Sequence, residues 1–148
     1  QARFVVLGAI DKVALGALTE VELRQVIKAS IIEYPGHVNN VSDWITKSSV
    51  FVLPSYYREG VPRSTQEAMA IGRPIITTDV PGCRETVIDG VNGFLVEKWN
   101  PKALAEKMIY FIEHPEQIKE MGDESYKLAQ EKFDADKVNK RLINMLGL

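Results

Sequence analysis

Residues 50–77 read VFVLPSYYREGVPRSTQEAMAIGRPIIT, and this stretch decides the fold. Val50-Phe51-Val52-Leu53 is a continuous apolar run of strand length, stopped by Pro54-Ser55. A helix is expected from Ser64 to Ile71, ended by Gly72. Pro74-Ile75-Ile76-Thr77 is the next strand. Strand, helix and strand in that order predict parallel pairing, with strands covered on both faces.

The alternation continues in both directions. Upstream, Phe4-Val5-Val6-Leu7 ends in Gly8 and reads as a buried strand with its turn. A helix follows over Glu20 to Ala29, with Val21, Val26 and Ile27 as its apolar stripe. Ile31-Ile32-Glu33-Tyr34 is the next strand, closed by Pro35-Gly36. Val41 to Lys47 reads as a brief helix, with Asn40 or Ser42 available as its cap. Downstream, Pro81-Gly82 opens a short helix and Gly93-Phe94-Leu95-Val96 is a further strand. Helices then fill residues 101–147: Asn100 caps the first, Pro101 and Pro115 sit at helix starts, and Asp134 caps the last. The expectation is one α/β domain over residues 1–148, a Rossmann-like parallel sheet with helices on both faces.

Composition sets limits without naming a function. The 148 residues are 45% hydrophobic and 26% charged, enough to build a core without staples. A net charge of −2 gives no whole-chain attraction to nucleic acid, and no nucleic-acid partner is expected. Cys83 is the single cysteine, so no intrachain disulfide can form, which fits a reducing, cytoplasmic setting. The apolar runs are strand-sized and too short to span a bilayer. Gln1-Ala2-Arg3 leads directly into a core strand, which suggests that upstream residues, and the first elements of the fold, have been removed.

In parallel α/β sheets ligands sit beyond the carboxyl ends of the strands. That rule points to Gly8–Ile10, Pro35–Val38, Pro54–Arg63 and Thr78–Gly82. The third loop carries two glutamates, Glu59 and Glu67, with seven residues between them. Glu59 lies in the loop and Glu67 in the first turn of the expected helix. Gly60 lets backbone approach a ligand closely, and free N–H groups at the helix start suit a diphosphate. A second reading stands beside this one. Ser64-Thr65-Gln66-Glu67 spells a capping box, in which Glu67 would only tie back the Ser64 backbone; on the tetrapeptide alone that reading is the stronger. Glu59 alone could be a solvated loop charge, and Pro62 a turn former.

Taken together, Glu59-Gly60-Val61-Pro62, Glu67-Ala68-Met69-Ala70 and Gly72-Arg73-Pro74 closely resemble the retaining GT-B glycosyltransferases of family four. The resemblance continues in Phe51–Ser55, Pro81–Glu85 and Asp89–Val96, and so covers nearly the whole chain. It implies the C-terminal, donor-binding half of a GT-B fold. By that resemblance Glu59 lies beside the transferred sugar as the catalytic residue, and Glu67 holds the ribose hydroxyls. Gly60, Val61, Pro62, Arg63 and Ser64 would contact sugar or phosphate. His37 and Val38, after Gly36, would meet the base mainly through backbone, and Gly8 would lie near the donor.

The resemblance further implies a nucleotide-sugar donor, with UDP-sugar modestly preferred, no bound metal and no cofactor. A saccharide or lipid-linked acceptor would bind through an N-terminal domain absent from this chain. The family's basic Arg-Lys pair, expected upstream of Phe4, is absent too, and Arg63 and Arg84 do not stand in its place. The chain alone is therefore expected to be inactive, and its parent to work in bacterial polysaccharide or glycolipid synthesis, peripheral at the inner face of the membrane. Two alternatives stand beside it: a nucleotide-sugar epimerase, which shares the GT-B architecture but does not usually carry this glutamate pair, and, from a different class, a non-catalytic nucleotide-binding module.

Other residues have plainer readings. Tyr56 and Tyr57 could stack on a base or sugar, though loop tyrosines more often pack partly into the surface. Trp44 and Trp99 are assigned to packing. Thr78 and Asp79 shape the loop at the crevice rim. Glu85 is either a dipole partner of its helix or a ligand contact, and His114 a helix-end residue. Leu104, Met108, Phe111 and Ile112 form a core-facing stripe. Val138, Leu142, Met145 and Leu146 form a second, expected to be exposed and to promote self-association.

Overall fold

The computed structural model describes residues 2–10, 18–57 and 60–147. The chain divides into two compact units, residues 1–41 and 42–148.

In the first unit, β1 (Val5–Leu7) pairs in parallel with β2 (Glu33–Gly36). Between them runs α1 (Glu20–Lys28). Thr19 caps α1: its hydroxyl accepts from the Glu22 N–H at 3.2 Å, and the Glu22 carboxylate accepts from the Thr19 N–H at 2.8 Å. This is a complete capping box, which leaves two helix-end donors satisfied. Leu23 is the buried residue of α1, whereas Val21 and Ile27 of the expected stripe are exposed.

The second strand starts later than the sequence suggests. The chain leaving α1 wraps back on it, with Ser30 N–H donating to Ile27 and Ile31 N–H to Val26. Ser30 takes a left-handed φ of 56° in that wrap. Ile31 is thus spent on ending the helix. Pro35 and Gly36 fall inside β2 instead of closing it. Proline lacks an N–H, and it is tolerated here because the register slips between Val5↔Glu33 and Leu7↔Gly36.

In the second unit, β3 (Phe51–Leu53), β4 (Ile75–Thr78) and β5 (Gly93–Val96) form one parallel sheet in the order β3-β4-β5. The strands therefore lie in two parallel sheets among the described residues, where one was expected. Every residue of β4 is buried, as a central strand covered on both faces requires. The helices are α2 (Val41–Lys47), α3 (Arg63–Ala70), α4 (Pro101–Glu113), α5 (Pro115–Lys132) and α6 (Ala135–Leu146). Cys83–Thr86 is a short 3-10 turn. Asn100 and Asp134 cap α4 and α6 through Ala103 and Lys137 N–H groups, both at 3.0 Å.

The core joins Ile76, Phe94 and Val96 to Phe111 of α4 and Met121 of α5. Leu104 and Met108 pack against it, while Ile112 of the same stripe is exposed. Two glycines set the close approaches. A Cβ on Gly122 would lie 2.3 Å from the Gly72 carbonyl, so α5 can meet the end of α3 only because that side chain is absent. A Cβ on Gly93 would lie 1.8 Å from the Ile75 carbonyl.

A buried polar knot fastens the turn before β5 to α5. Asn92 donates to the Thr86 carbonyl at 3.0 Å and accepts from the Ile88 N–H at 2.7 Å. Ser125 of α5 donates to the Asn92 carbonyl at 3.1 Å. Both residues are fully buried, and their mutual bonds satisfy groups that would otherwise be costly to desolvate. No helix among the described residues is long and apolar enough to cross a membrane.

Candidate functional site

The loop leaving β3 is held by its neighbours in the sheet. Thr77 of β4 donates its hydroxyl to the Leu53 carbonyl at 2.8 Å, and Thr78 donates to the Ser55 carbonyl. Thr78 thereby shapes the loop, as the sequence suggests. Asp79 pairs with Arg84 at 2.9 Å. Arg84 is thus engaged locally.

Downstream, α3 begins one residue earlier than expected, at Arg63 with Pro62 in the cap position. Proline fits there because its φ of −63° suits the entry to a helix and it has no N–H to leave unpaired. The consequence is a change of register. Ser64 lies inside the helix as its second residue, so it cannot be the cap of a Ser64–Glu67 box. Glu67 is the fifth residue and stands in the second turn, not the first. Its carboxylate is exposed and makes no hydrogen bond or ion pair among the described residues.

Helix α3 therefore has a bare N-terminus. Among the described residues no side chain caps it, and no acidic residue lies in its first turn. The first intrahelical bond is from Gln66 N–H to the Pro62 carbonyl at 3.2 Å, which leaves the N–H groups of Arg63, Ser64 and Thr65 directed out of the helix. Such a terminus carries partial positive charge and favours an anion. Gln66, to which the sequence assigned no role, donates its side-chain amide to the Val61 carbonyl at 3.2 Å. It pins the Gly60-Val61-Pro62 turn to the helix. Thr65 is fully buried, and its hydroxyl has no hydrogen-bond partner among the described residues. On its other side Glu67 borders an open cleft of about 310 Å³ shared with Tyr126, Gln130 and Phe133.

The expected site residues fall as follows. Gly60, Val61, Pro62, Arg63, Ser64 and Glu67 come together around the start of α3 in the second unit. Glu59 lies outside the described residues. Gly8, His37 and Val38 belong to the first unit, where the parallel strand ends bring the Gly8 turn beside Gly36. Gly8 N–H donates to the Gly36 carbonyl at 3.0 Å, and the Tyr34 hydroxyl donates to the Gly8 carbonyl at 2.5 Å. Gly8 has φ 132°, a conformation that favours glycine. Tyr34, unassigned from sequence, is thus the residue that holds this turn.

Glu85 lies in the first turn of the Cys83–Thr86 segment and is exposed. His114 ends α4 with its ring stacked on Tyr110 at 4.4 Å. Trp99 departs from its assignment to packing. It is 70% exposed and lies against Tyr56, with ring centroids 4.1 Å apart. Its backbone is left-handed, with φ 64°.

The chain matches the family model described as "Glycosyl transferases group 1" over residues 1–114. It belongs to that family. CapM, a capsular polysaccharide biosynthesis glycosyltransferase of Staphylococcus aureus, is 35% identical over 109 residues, covering 74% of this chain and 28% of CapM. A Campylobacter jejuni N-acetylgalactosaminyltransferase acting on N,N'-diacetylbacillosaminyl-diphospho-undecaprenol is 31% identical over 113 residues, covering 76% of this chain and 28% of that enzyme. In fold, the group 1 chain is similar to Anabaena HepE in its complex with UDP, with a TM-score of 0.83 at 22% identity, over 98% of this chain and 40% of HepE. The group 1 chain thus spans well under half the length of these relatives, and its parallel α/β architecture matches its GT-B structural neighbours.

Proposed function

We propose that this chain is the donor-binding part of a retaining glycosyltransferase. The parent enzyme moves a hexosyl group from a nucleotide-sugar to a saccharide or lipid-linked acceptor in bacterial polysaccharide or glycolipid synthesis. The carrying observation is that, among the described residues, no side chain caps the N-terminus of α3 and the Glu67 carboxylate one turn further on has no partner. A diphosphate satisfies the first; two adjacent ribose hydroxyls, both donors to one carboxylate, satisfy the second.

Chemistry follows from the leaving group. As the anomeric C–O bond breaks, positive character develops on the sugar and the diphosphate oxygen keeps the electron pair. In this reading the N–H groups of Arg63, Ser64 and Thr65 would stabilise that anion. The Gly60-Val61-Pro62 turn, fixed by Gln66, would present backbone to the sugar. Glu59 is assigned the place beside the transferred sugar from its position in the glutamate motif. In the first unit Gly36-His37-Val38 would meet the base through backbone, and Gly8 would approach the donor. No metal is required in this scheme. A uridine donor is preferred, because HepE is known in complex with UDP and with UDP-glucose.

The parent works in the cytoplasm, peripheral to the inner membrane face, and meets its acceptor through its other domain. The chain by itself is expected to bind donor weakly and not to turn over. The test is a titration of the isotope-labelled chain with UDP, GDP and ADP, followed by amide chemical shifts. Shifts at Gly60–Glu67 and Gly36–Val38, lost in Glu67→Ala, are the expected result. A UDP response confined to other surfaces would overturn the assignment.

A further inference from the structure

Three aromatic side chains gather at the carboxyl edge of the second sheet, and the proposed donor site uses none of them. Tyr56 and Tyr57 leave β3, and Trp99 leaves β5 on the far side of β4. The Tyr56 ring stacks with Tyr57 at 4.4 Å and 30°, and meets Trp99 at 4.1 Å and 33°. The two phenol hydroxyls are 3.2 Å apart. The result is a continuous aromatic surface with a polar rim.

Trp99 is the exposed end of this surface, and its backbone is held there under strain. Its φ of 64° lies in the region that glycine enters freely and a bulky residue does not. The turn is fixed from both sides: Asn100 N–H donates to the Glu97 carbonyl at 3.3 Å, and the Asn100 side chain caps α4. Core packing does not reward the indole, since 70% of the residue is in solvent. A large aromatic placed at a position made for glycine, outside the core and at the ligand edge of a parallel sheet, needs another partner.

We propose that Trp99, backed by Tyr56, is a stacking platform for a pyranose ring of the glycan that accepts or has received the sugar, a contact additional to those the acceptor makes with the parent's other domain. A pyranose offers an apolar C–H face with partial positive charge and a ring of hydroxyls. The electron-rich face of the indole matches the first, and the paired Tyr56 and Tyr57 hydroxyls match the second. The choice of a saccharide rests on the glycosyltransferase reading; the platform itself rests on the aromatic geometry.

The test exploits the fact that the chain has two tryptophans, Trp44 and Trp99. Their two indole N–H resonances are assigned with Trp44→Phe. The labelled chain is titrated with maltohexaose, chitohexaose and mannohexaose, and separately with UDP. At least one saccharide should move the Trp99 indole saturably and leave Trp44 still. Trp99→Gly should abolish that binding while the remaining amide spectrum, and the UDP response at Gly60–Glu67, stay intact. Tyr56→Ala should weaken it by about fivefold. No Trp99 response to any of the three glycans overturns the proposal, as does a Trp99 response to UDP alone, which would assign the platform to the base. A saccharide response without any UDP response at Gly60–Glu67 would uphold the platform while removing the donor-site reading.

Discussion

At the start of α1, Thr19 and Glu22 close a capping box on each other's backbone, and Glu20 adds a second acid to the first turn. At the start of α3, Pro62 stands at the cap with no side-chain donor or acceptor, and the first turn holds no acid at all. Both helices carry the spelling Ser/Thr-x-x-Glu, as Thr19-Glu20-Val21-Glu22 and Ser64-Thr65-Gln66-Glu67. What separates them is the residue in front. Thr19 follows Leu18 and takes the extended cap conformation itself, with φ −71° and ψ 156°. Ser64 follows Pro62 and Arg63, and the proline has already claimed that conformation, with φ −63° and ψ 128°. Two residues of register convert an internally satisfied helix end into one that can serve a ligand.

The largest expected effect is on Glu67. Because its carboxylate has no partner among the described residues, Glu67→Ala should leave the thermal midpoint within error. UDP affinity should fall about 10-fold to 100-fold, the worth of hydrogen bonds to a charged acceptor. Titration calorimetry on the two forms checks this. Unchanged affinity would mean that the carboxylate is only a solvated charge.

Pro62→Asp would make the two helix ends alike. An aspartate there supplies a cap worth about 1 kcal/mol, while losing the proline frees the unfolded chain by about 0.4–1 kcal/mol. The net change in stability should therefore be small. The new carboxylate would occupy the free N–H groups and repel a diphosphate, weakening UDP binding by about fivefold. Chemical denaturation and the same titration separate the two readouts. A variant that binds UDP as well as the parent would show that the α3 terminus is not where the phosphates sit.

Most of the second sheet was legible because its strands write themselves as apolar runs, with β4 buried throughout, β5 largely buried and β3 partly so; β1, read as a buried strand, instead has Val6 exposed. Phe51–Leu53, Ile75–Thr78 and Gly93–Val96 all lie within a residue of their expected bounds. The edges were harder. Ile31 and Ile32 look like strand, yet the chain uses them to leave α1, and that depends on Ser30 turning left-handed. The Thr19-x-x-Glu22 spelling forms its box, while the Ser64-x-x-Glu67 spelling is out of register with its helix. The Asn92–Ser125 knot could not be read at all. Its partners are 33 positions apart, and nothing local marks a buried asparagine as satisfied. Trp99 departs from its packing assignment for a related reason: tryptophan in a foldable chain suggests core, and nothing local in the sequence marks this one as exposed.

Thr19→Ala attacks the other side of the comparison. Removing the hydroxyl should cost about 1 kcal/mol of α1 stability, measurable as faster exchange of the α1 amides. The amides of Gly60–Glu67 should answer UDP as before, since that helix end is organised by Pro62 and Gln66. A parallel loss of UDP response would show that the two ends are coupled.

The smallest effect is the pH dependence of the α1 box. The Thr19 backbone N–H, and then its hydroxyl, donate to the Glu22 carboxylate and hold its carboxyl below the ordinary value of 4.5. The folded state thus binds its proton less readily than the unfolded one. The box therefore contributes fully above about pH 4.5 and is lost as pH falls through the lower folded value. Following the Thr19 amide shift against pH should show a transition below the ordinary glutamate range, and Glu22→Gln should remove it. Helix α3, with no acid in its first turn, should show no matching step at the Arg63–Thr65 amides. A common transition at both helix ends would mean that the acid sensitivity belongs to general unfolding and not to the cap.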